Sequence, residues 1–140
     1  ENGLGAFLSA AYAKGNSYSP AKAPLDSIDP VKVAFGVSYR DPAGRFGGEL
    51  TAVHTERKDA GRVAVVCTPT CFRPSGSTVL DVTAFWRVAD GLTARAGVFN
   101  VTDETYAYWS DVRGLSSTAV SRDAYTQPGR NVSLSLTYDF

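Results

Sequence analysis

Two cysteines lie close together in the run Cys67-Thr68-Pro69-Thr70-Cys71. A metal site would need further ligands, and the sequence places no histidine and no third cysteine near this run. The spacing instead predicts a small local disulfide between Cys67 and Cys71 in an exposed loop. Such a bond requires an oxidising compartment.

The other residues that can carry chemistry do not form a catalytic pattern. His54 is the only histidine, and the carboxylates are scattered with no histidine on their face. The sequence has no glycine-rich phosphate loop and no nucleophile elbow. Lysine plus arginine and aspartate plus glutamate number 14 each, so the net charge of zero offers no bulk attraction for nucleic acid. We therefore expect no enzyme, no metal site and no nucleic-acid partner.

Six stretches alternate apolar and polar residues with a period of two, which is typical of β-strands and not of helices. They span residues 4–12, 31–40, 49–55, 80–88, 92–99 and 131–140. The connections 41–45 and 89–91 are short and built from turn residues, whereas 15–30, 57–77 and 106–129 are long. This alternation predicts an all-β antiparallel meander whose two ends face different compartments.

The two faces of the predicted strands differ in chemistry. One face is apolar, and aromatic residues mark the strand ends: Tyr12, Tyr39, Trp86, Tyr106, Tyr108, Trp109 and Tyr138. The opposite face carries charged residues: Lys32, Arg40, Glu49, Asp81, Arg87 and Arg95. Although the composition is soluble-like, hydropathy is blind to β-barrels because their alternating strands give only a weak signal. The pattern favours membrane-spanning strands with an apolar outer face, aromatic girdles and a wet lumen.

Six strands are too few for a complete membrane barrel. Outer-membrane barrels have at least about eight strands, and open sheet edges cannot face lipid. The sequence therefore predicts a fragment, or a chain that pairs with another chain carrying the remaining strands. With a periplasmic C-terminus, the long loops fall outside the cell and both short turns in the periplasm. Phe140 is expected to close the last strand on the apolar face.

Four segments resemble a known family. Residues 92–104 read LTARAGVFNVTDE, residues 106–114 read YAYWSDVRG, residues 125–133 read YTQPGRNVS, and residues 24–30 read PLDSIDP. The first resembles the penultimate strand of TonB-dependent outer-membrane receptors. The other three are similar to segments of the heme and hemoglobin receptor branch, so the resemblance extends in register over most of the chain.

The resemblance implies that residues 1–140 are the C-terminal part of a receptor barrel of about 22 strands, supplying its last six strands, with the plug domain absent from this chain. It implies uptake of heme, as transported ligand and not as a catalytic cofactor, from hemoglobin or another heme carrier. The implied partners are outer-membrane lipid, the remaining strands and plug of the same receptor, and the TonB complex acting through the plug. The family's heme-ligating histidines lie in the plug and in an earlier loop region, so no ligand carries over.

Four aromatic residues around the last long loop are candidate ligand contacts: Tyr106, Tyr108, Trp109 and Tyr125. Tyrosine can ligate heme iron, while the alternative role is girdle and loop packing. His54 shares its parity with Leu50 and Ala52 and is expected to face lipid instead of ligating heme. Three charged residues are expected to order the loop through ion pairs: Asp111, Arg113 and Arg130.

Two alternatives remain open. A siderophore receptor of the same architecture fits the strand pattern, although segments 110–114 and 125–130 argue against it. A soluble β-sandwich acting as a binding module fits the alternation too, and it predicts a monomer that folds in water without detergent.

Overall fold

The computed structural model describes residues 2–18 and 22–140. Within them, six antiparallel strands form one sheet in sequence order: β1 (Leu4–Ala11), β2 (Lys32–Arg40), β3 (Phe46–Thr55), β4 (Ser77–Ala89), β5 (Leu92–Phe99) and β6 (Asn131–Tyr138). One short helix, α1 (Trp109–Val112), and 3₁₀ turns at Ala60–Arg62 and Val120–Tyr125 lie in the long connections. No helix in the described residues is long and apolar enough to span a membrane.

The predicted meander is confirmed, and the largest differences from the predicted bounds are at three strand ends. β3 begins at Phe46, where Gly47 and Gly48 hide the alternation in the sequence. β4 begins at Ser77, and β6 ends at Tyr138. The expectation that Phe140 closes the last strand is therefore wrong, because this residue follows the strand. The Phe140 ring packs edge-on against Tyr138, with centroids 5.6 Å apart.

The pairing register keeps the apolar residues of all six strands on one face, because directly paired residues point to the same side of a sheet. One row of partners across the sheet consists of Ala6, Val37, Leu50, Val82, Val98 and Val132. Aromatic residues line the short-turn end of this face: Tyr39, Phe46, Trp86 and Tyr138. Phe46 is an addition that the sequence did not reveal.

Within the described residues, no second layer covers this apolar face. Every residue of β1 and β6 is exposed, and Leu8 and Leu134 are 74% and 79% exposed. The buried hydrophobic residues are Trp109 and Val112, which lie in the last long connection and not in the sheet. A contiguous apolar face of this size is a surface that meets lipid or another protein.

On the opposite face, phenylalanine rings lie over glycines of neighbouring strands. A Cβ on Gly36 would lie 2.1 Å from the Phe7 ring, and one on Gly47 would lie 2.6 Å from the Phe85 ring. The guanidinium of Arg40 stacks over Phe85, 5.1 Å from its centroid. The face that the sequence marks as polar thus holds arginine and aromatic groups in fixed positions.

Candidate functional site

The three long connections assemble at one end of the sheet. We name them L1 (residues 12–31, described except for 19–21), L2 (residues 56–76) and L3 (residues 100–130), and together we call them the loop cap. The cap contains both buried hydrophobic residues of the described chain. It is therefore an ordered unit with its own small core.

Asp26 of L1 joins all three loops. Its carboxylate accepts hydrogen bonds from the backbone amides of Ala64 and Val65 in L2, at 2.8 and 2.9 Å. Its carbonyl accepts a 2.7 Å hydrogen bond from the indole Nε1 of Trp109 in L3. Hydrogen bonds to a charged acceptor are stronger than neutral ones, so this one residue holds L1, L2 and L3 in a fixed relation.

Two cations of L2 complete the packing against L1. The Lys58 ammonium, only 5% exposed, donates to the carbonyl of Ile28 and lies 5.4 Å from the Trp109 ring centroid. Burial lowers the pKa of Lys58, because removing an ammonium from water disfavours its charged form. Arg62 donates to Asn16 Oδ1 at 2.8 Å. L1 and L2 are thus joined mainly by polar contacts.

L2 and L3 pair through a short antiparallel bridge at Cys71 and Ser116. The amides of Phe72 and Ser117 donate to the carbonyls of Leu115 and Thr70, each at 2.8 Å. In the structure Cys67 and Cys71 are bonded to each other, with their Cα atoms 4.8 Å apart. The disulfide therefore closes a small turn directly beside the pairing with L3.

The base of L3 is fixed by Asn100, which is 3% exposed and has a left-handed φ of 51°. Its side chain donates to the carbonyl of Glu104 and accepts from the amide of Glu104, both at 2.8 Å. Its own amide donates to the carboxylate of Asp81, also at 2.8 Å. Asparagine tolerates this conformation better than most residues. The Asn-Val-Thr-Asp part of the family-like segment 92–104 thus builds a turn.

Of the four aromatic site candidates, the structure brings Tyr106 and Tyr108 together. Their rings meet edge to face with centroids 5.5 Å apart, and the ammonium of Lys32 lies 4.8 Å from the Tyr108 centroid. Desolvation raises the pKa of Tyr106 to about 12, helped by hydrogen bonding with Tyr108. Both tyrosine rings are half-buried near the start of L3.

The other two candidates, Trp109 and Tyr125, differ from this pair in their surroundings. Trp109 is 3% exposed and its indole nitrogen is already bonded to Asp26, so its ring serves packing of the cap. Tyr125 is 40% exposed at the end of the last 3₁₀ turn. Of the four candidates, Trp109 is buried, Tyr106 and Tyr108 are half-buried, and Tyr125 is exposed.

His54 lies on the apolar face, as its parity predicts. Its strand partners are Val33 and Thr78, and its Nδ1 is 2.9 Å from Thr78 Oγ1. Among the described residues no group of three or more histidine, cysteine, aspartate or glutamate side chains could hold a metal ion.

The expectation that Asp111, Arg113 and Arg130 order L3 through ion pairs is wrong, because none of the three forms a salt bridge within the described residues. Asp111 accepts from Gln127 Nε2 at 3.0 Å, and Arg130 donates its amide to Asp103 at 2.7 Å. The salt bridge found in the described chain is Arg45–Asp41, at 2.7 Å in the β2–β3 turn. The carboxylates of Asp111 and Asp103 are thus satisfied by a side-chain amide and a backbone amide of L3.

Comparisons with curated proteins and with solved structures both give matches. No family model matches the chain. Hemoglobin-haptoglobin-binding protein A of Haemophilus influenzae is 27% identical over 99% of this chain and 15% of its own length. Transferrin-binding protein A of Neisseria gonorrhoeae is 27% identical over 83% of this chain and 14% of its own length. The chain thus spans about 15% of the length of these curated relatives.

Solved structures share the fold. The copper transporter OprC superposes with a TM-score of 0.78 at 22% identity, covering 100% of this chain and 21% of its own. The ferripyoverdine receptor of the outer membrane of Pseudomonas aeruginosa gives a TM-score of 0.62 at 18% identity, covering 86% and 16%.

The sheet thus has the fold of a segment of an outer-membrane β-barrel. The resemblance drawn from the sequence is confirmed: the chain is similar to the C-terminal barrel portion of TonB-dependent outer-membrane receptors. The named relatives are binding proteins, a transporter and a receptor, and not enzymes.

Sequence reasoning missed three residues that build the cap: Asp26, Lys58 and Asn100. Asp26 and Asn100 lie inside the family-like segments 24–30 and 92–104, so a signal was present for them. Lys58 carries no local signal, because its burial depends on Ile28 of L1 and Trp109 of L3.

Proposed function

We propose that residues 1–140 are the C-terminal part of an outer-membrane TonB-dependent receptor that takes up heme from hemoglobin or another carrier protein. The observation that carries this proposal is the match over 99% of the chain to a hemoglobin-haptoglobin-binding protein. A hemoglobin-binding protein of the same species matches over 84% of the chain. The heme-branch segments 106–114 and 125–133 lie within L3 and at the start of β6, beside the tyrosine pair.

The open sheet supports the barrel part of the proposal. Strands β1 and β6 have one neighbour each in the described sheet, and unpaired strand edges cannot face lipid. The remaining strands of a barrel of about 22 would pair with these edges, and a plug would fill the lumen and receive the TonB complex. A soluble sandwich would need a second sheet over Leu8 and Leu134, which are 74% and 79% exposed.

In this arrangement the loop cap lies outside the cell and the C-terminus in the periplasm. Tyr106, Tyr108 and Tyr125 would contact the ligand at the mouth of the lumen, with heme as cargo. We expect Tyr106 and Tyr108 to contact the ligand through stacking and hydrogen bonding by their paired rings.

A second candidate is uptake of iron from a protein that carries no heme. Lactoferrin-binding and transferrin-binding proteins match 83% of the chain at 27% identity, while two hemoglobin-binding proteins match 84% of the chain at 25% identity. A siderophore receptor is a third, since the ferripyoverdine receptor shares the fold.

The test is growth of a bacterial host that can neither make heme nor import it, carrying the full-length gene that encodes this chain. We expect growth on hemin and on hemoglobin, and none in a matched host that lacks TonB. A second host, which makes heme but lacks its own iron uptake, tests the other candidate: its growth on iron-loaded transferrin, with no growth of the first host on either heme source, would replace heme with the second candidate. A Tyr106→Phe, Tyr108→Phe variant should reduce heme uptake, while a Tyr12→Phe control should not.

A further inference from the structure

The face of the sheet opposite to the apolar face, which we call the lumen face, carries three arginines near its short-turn end. They are Arg40 in β2, Arg87 in β4 and Arg95 in β5. They lie in two adjacent rows of paired strand residues, and no strand residue of these rows is an aspartate or a glutamate. The salt bridge of the described chain, Arg45–Asp41, uses none of the three. This part of the lumen face is therefore positively charged.

The side chain of Arg40 is oriented by stacking and not by hydrogen bonds. Its guanidinium carbon lies 5.1 Å from the Phe85 ring centroid. The Phe85 ring in turn lies over Gly47, where a Cβ would be 2.6 Å from the ring. Within the described residues Arg40 donates only its backbone amide, to the carbonyl of Gly3. Stacking therefore positions the guanidinium and leaves its N–H groups available to an acceptor.

Arg95 lies on the other side of the same phenylalanine. It is the β5 partner of Phe85 in the pairing of β4 with β5. Its Nη1 donates a 3.2 Å hydrogen bond to Thr137 Oγ1 of β6. This neutral contact orients the guanidinium, and the other N–H groups of its five-donor fork have no partner within the described residues.

Arg40 and Arg95 line one cavity of about 520 Å³ on the lumen face. This volume lies within the roughly 300–1,000 Å³ of small-molecule sites. Phe85 and Phe99 give the cavity aromatic surface, and Glu49 is the carboxylate that lines it within the described residues. Glu49 lies one row nearer to the loop cap than the arginines. The cavity thus combines two cationic groups with aromatic surface at its short-turn end.

We propose that Arg40 and Arg95 form a transit site on the lumen wall, where they bind the carboxylates of the cargo after it has left the loop cap. The inference rests on the proposed function, because heme is a planar apolar molecule that carries two carboxylates. Arginine binds a carboxylate through two parallel N–H···O hydrogen bonds, and aromatic side chains pack against a planar ring. A wall of this charge attracts an anion and repels a free ferric ion. The same residues therefore select intact heme over iron that has been removed from its carrier.

The experiment measures binding and uptake of hemin separately, in cells that produce the full-length receptor. The double variant Arg40→Gln, Arg95→Gln removes both charges of the transit site and keeps polar side chains there. The matched control is Lys14→Gln, Arg57→Gln, because these two residues are exposed cations of L1 and L2 outside the transit site. The amount of folded receptor in the outer membrane verifies that each variant assembles. Exclusion of vancomycin, which an unplugged barrel would admit, verifies that the plug stays in place.

We expect the double variant to bind hemin at the cell surface within twofold of the unmodified receptor and to take it up at least tenfold more slowly. The control should change neither quantity by more than twofold. The second probe is the dimethyl ester of hemin, which lacks both free carboxylates. The unmodified receptor and the double variant should take up this ester at the same slow rate.

Hemin uptake by the double variant at the normal rate would overturn the transit site. An equal fall in the uptake of hemin and of its ester would overturn it as well, because the arginines would then serve the barrel and not the carboxylates of the cargo. Entry of vancomycin into cells with the double variant would assign the arginines to the plug and also overturn the proposal. Absence of hemin uptake by the unmodified receptor is a different result, which would contradict the proposed function itself.

Discussion

Replacing Trp109 with alanine should unfold the loop cap while leaving the sheet intact. Trp109 is one of two buried hydrophobic residues in the described chain, and its indole nitrogen donates to Asp26. The substitution would remove the packing surface beneath the Lys58 ammonium as well. The sheet should not respond, because its ladder of backbone hydrogen bonds does not pass through L3.

The expected magnitude follows from the burial. Truncating a buried tryptophan costs about 3–5 kcal/mol. A cap with so small a core cannot absorb that loss, and 1.4 kcal/mol corresponds to about a tenfold change in an opening equilibrium. Cap amides should therefore exchange at least about 100-fold faster. Trp109→Phe, which keeps a ring and loses the hydrogen bond, should cost about 1 kcal/mol and accelerate exchange by less than tenfold.

Hydrogen–deuterium exchange of the full-length protein in detergent measures this effect. The reporters are the amides of Ala64 and Val65, which donate to Asp26, compared with amides of β3 and β4. Trp86→Ala is the control, since Trp86 is 59% exposed on the apolar face. Unchanged exchange of Ala64 and Val65 in the Trp109→Ala protein, or equal acceleration in the cap and the strands, would refute the cap as a separate cooperative unit.

Three further predictions concern the turns and the loops. The Arg45 side chain, through its hydrogen bond, lowers the pKa of Asp41 below its ordinary value of 3.8. The ion pair therefore stabilises the turn at pH values above 3.8, and this contribution is lost as pH falls through the lowered pKa; an NMR titration of Arg45→Ala should show the Asp41 pKa rise, and an unchanged pKa would contradict the role of the side chain. Replacing Cys71 with serine should speed exchange of the amides that pair L2 with L3 and leave those bonded to Asp26 unchanged; equal acceleration of both sets would contradict the local role of the disulfide. In intact cells an impermeant maleimide should label Val120→Cys but label Ala43→Cys only after permeabilisation, and the reverse pattern would invert the proposed orientation.

The sheet could be predicted from the sequence because its information is local. The alternation in 131–138 determines which side chains of β6 share a face. The short turn at Asp90-Gly91 joins β4 to β5 and so determines that these two strands pair. Gly91 adopts a φ of 73° there, as a tight turn requires. The sequence places the start of β3 too late, because Gly47 and Gly48 have no side chains to reveal the period.

The loop cap could not be predicted because its contacts join residues far apart in sequence. Trp109 and Asp26 are 83 residues apart, and Arg62 and Asn16 are 46 apart. No periodicity links such positions, so the tryptophan looked as much like a girdle or ligand residue as a core residue. The disulfide could be predicted from the sequence because its two cysteines lie only four residues apart.

In the proposed barrel, the apolar face of this sheet meets lipid and the opposite face meets a wet lumen. Two adjacent residues of β6 test this arrangement directly. Leu134 lies on the apolar face and Ser133 on the other, and both are exposed in the described chain. An arginine near the bilayer midplane costs about 2–4 kcal/mol on the lipid face of a barrel, whereas lumen positions tolerate it. The measurement is the amount of folded full-length protein in the outer membrane of cells producing Leu134→Arg or Ser133→Arg. We expect little folded protein for Leu134→Arg and a near-normal amount for Ser133→Arg. Equal amounts, or the opposite order, would contradict the assignment of the two faces.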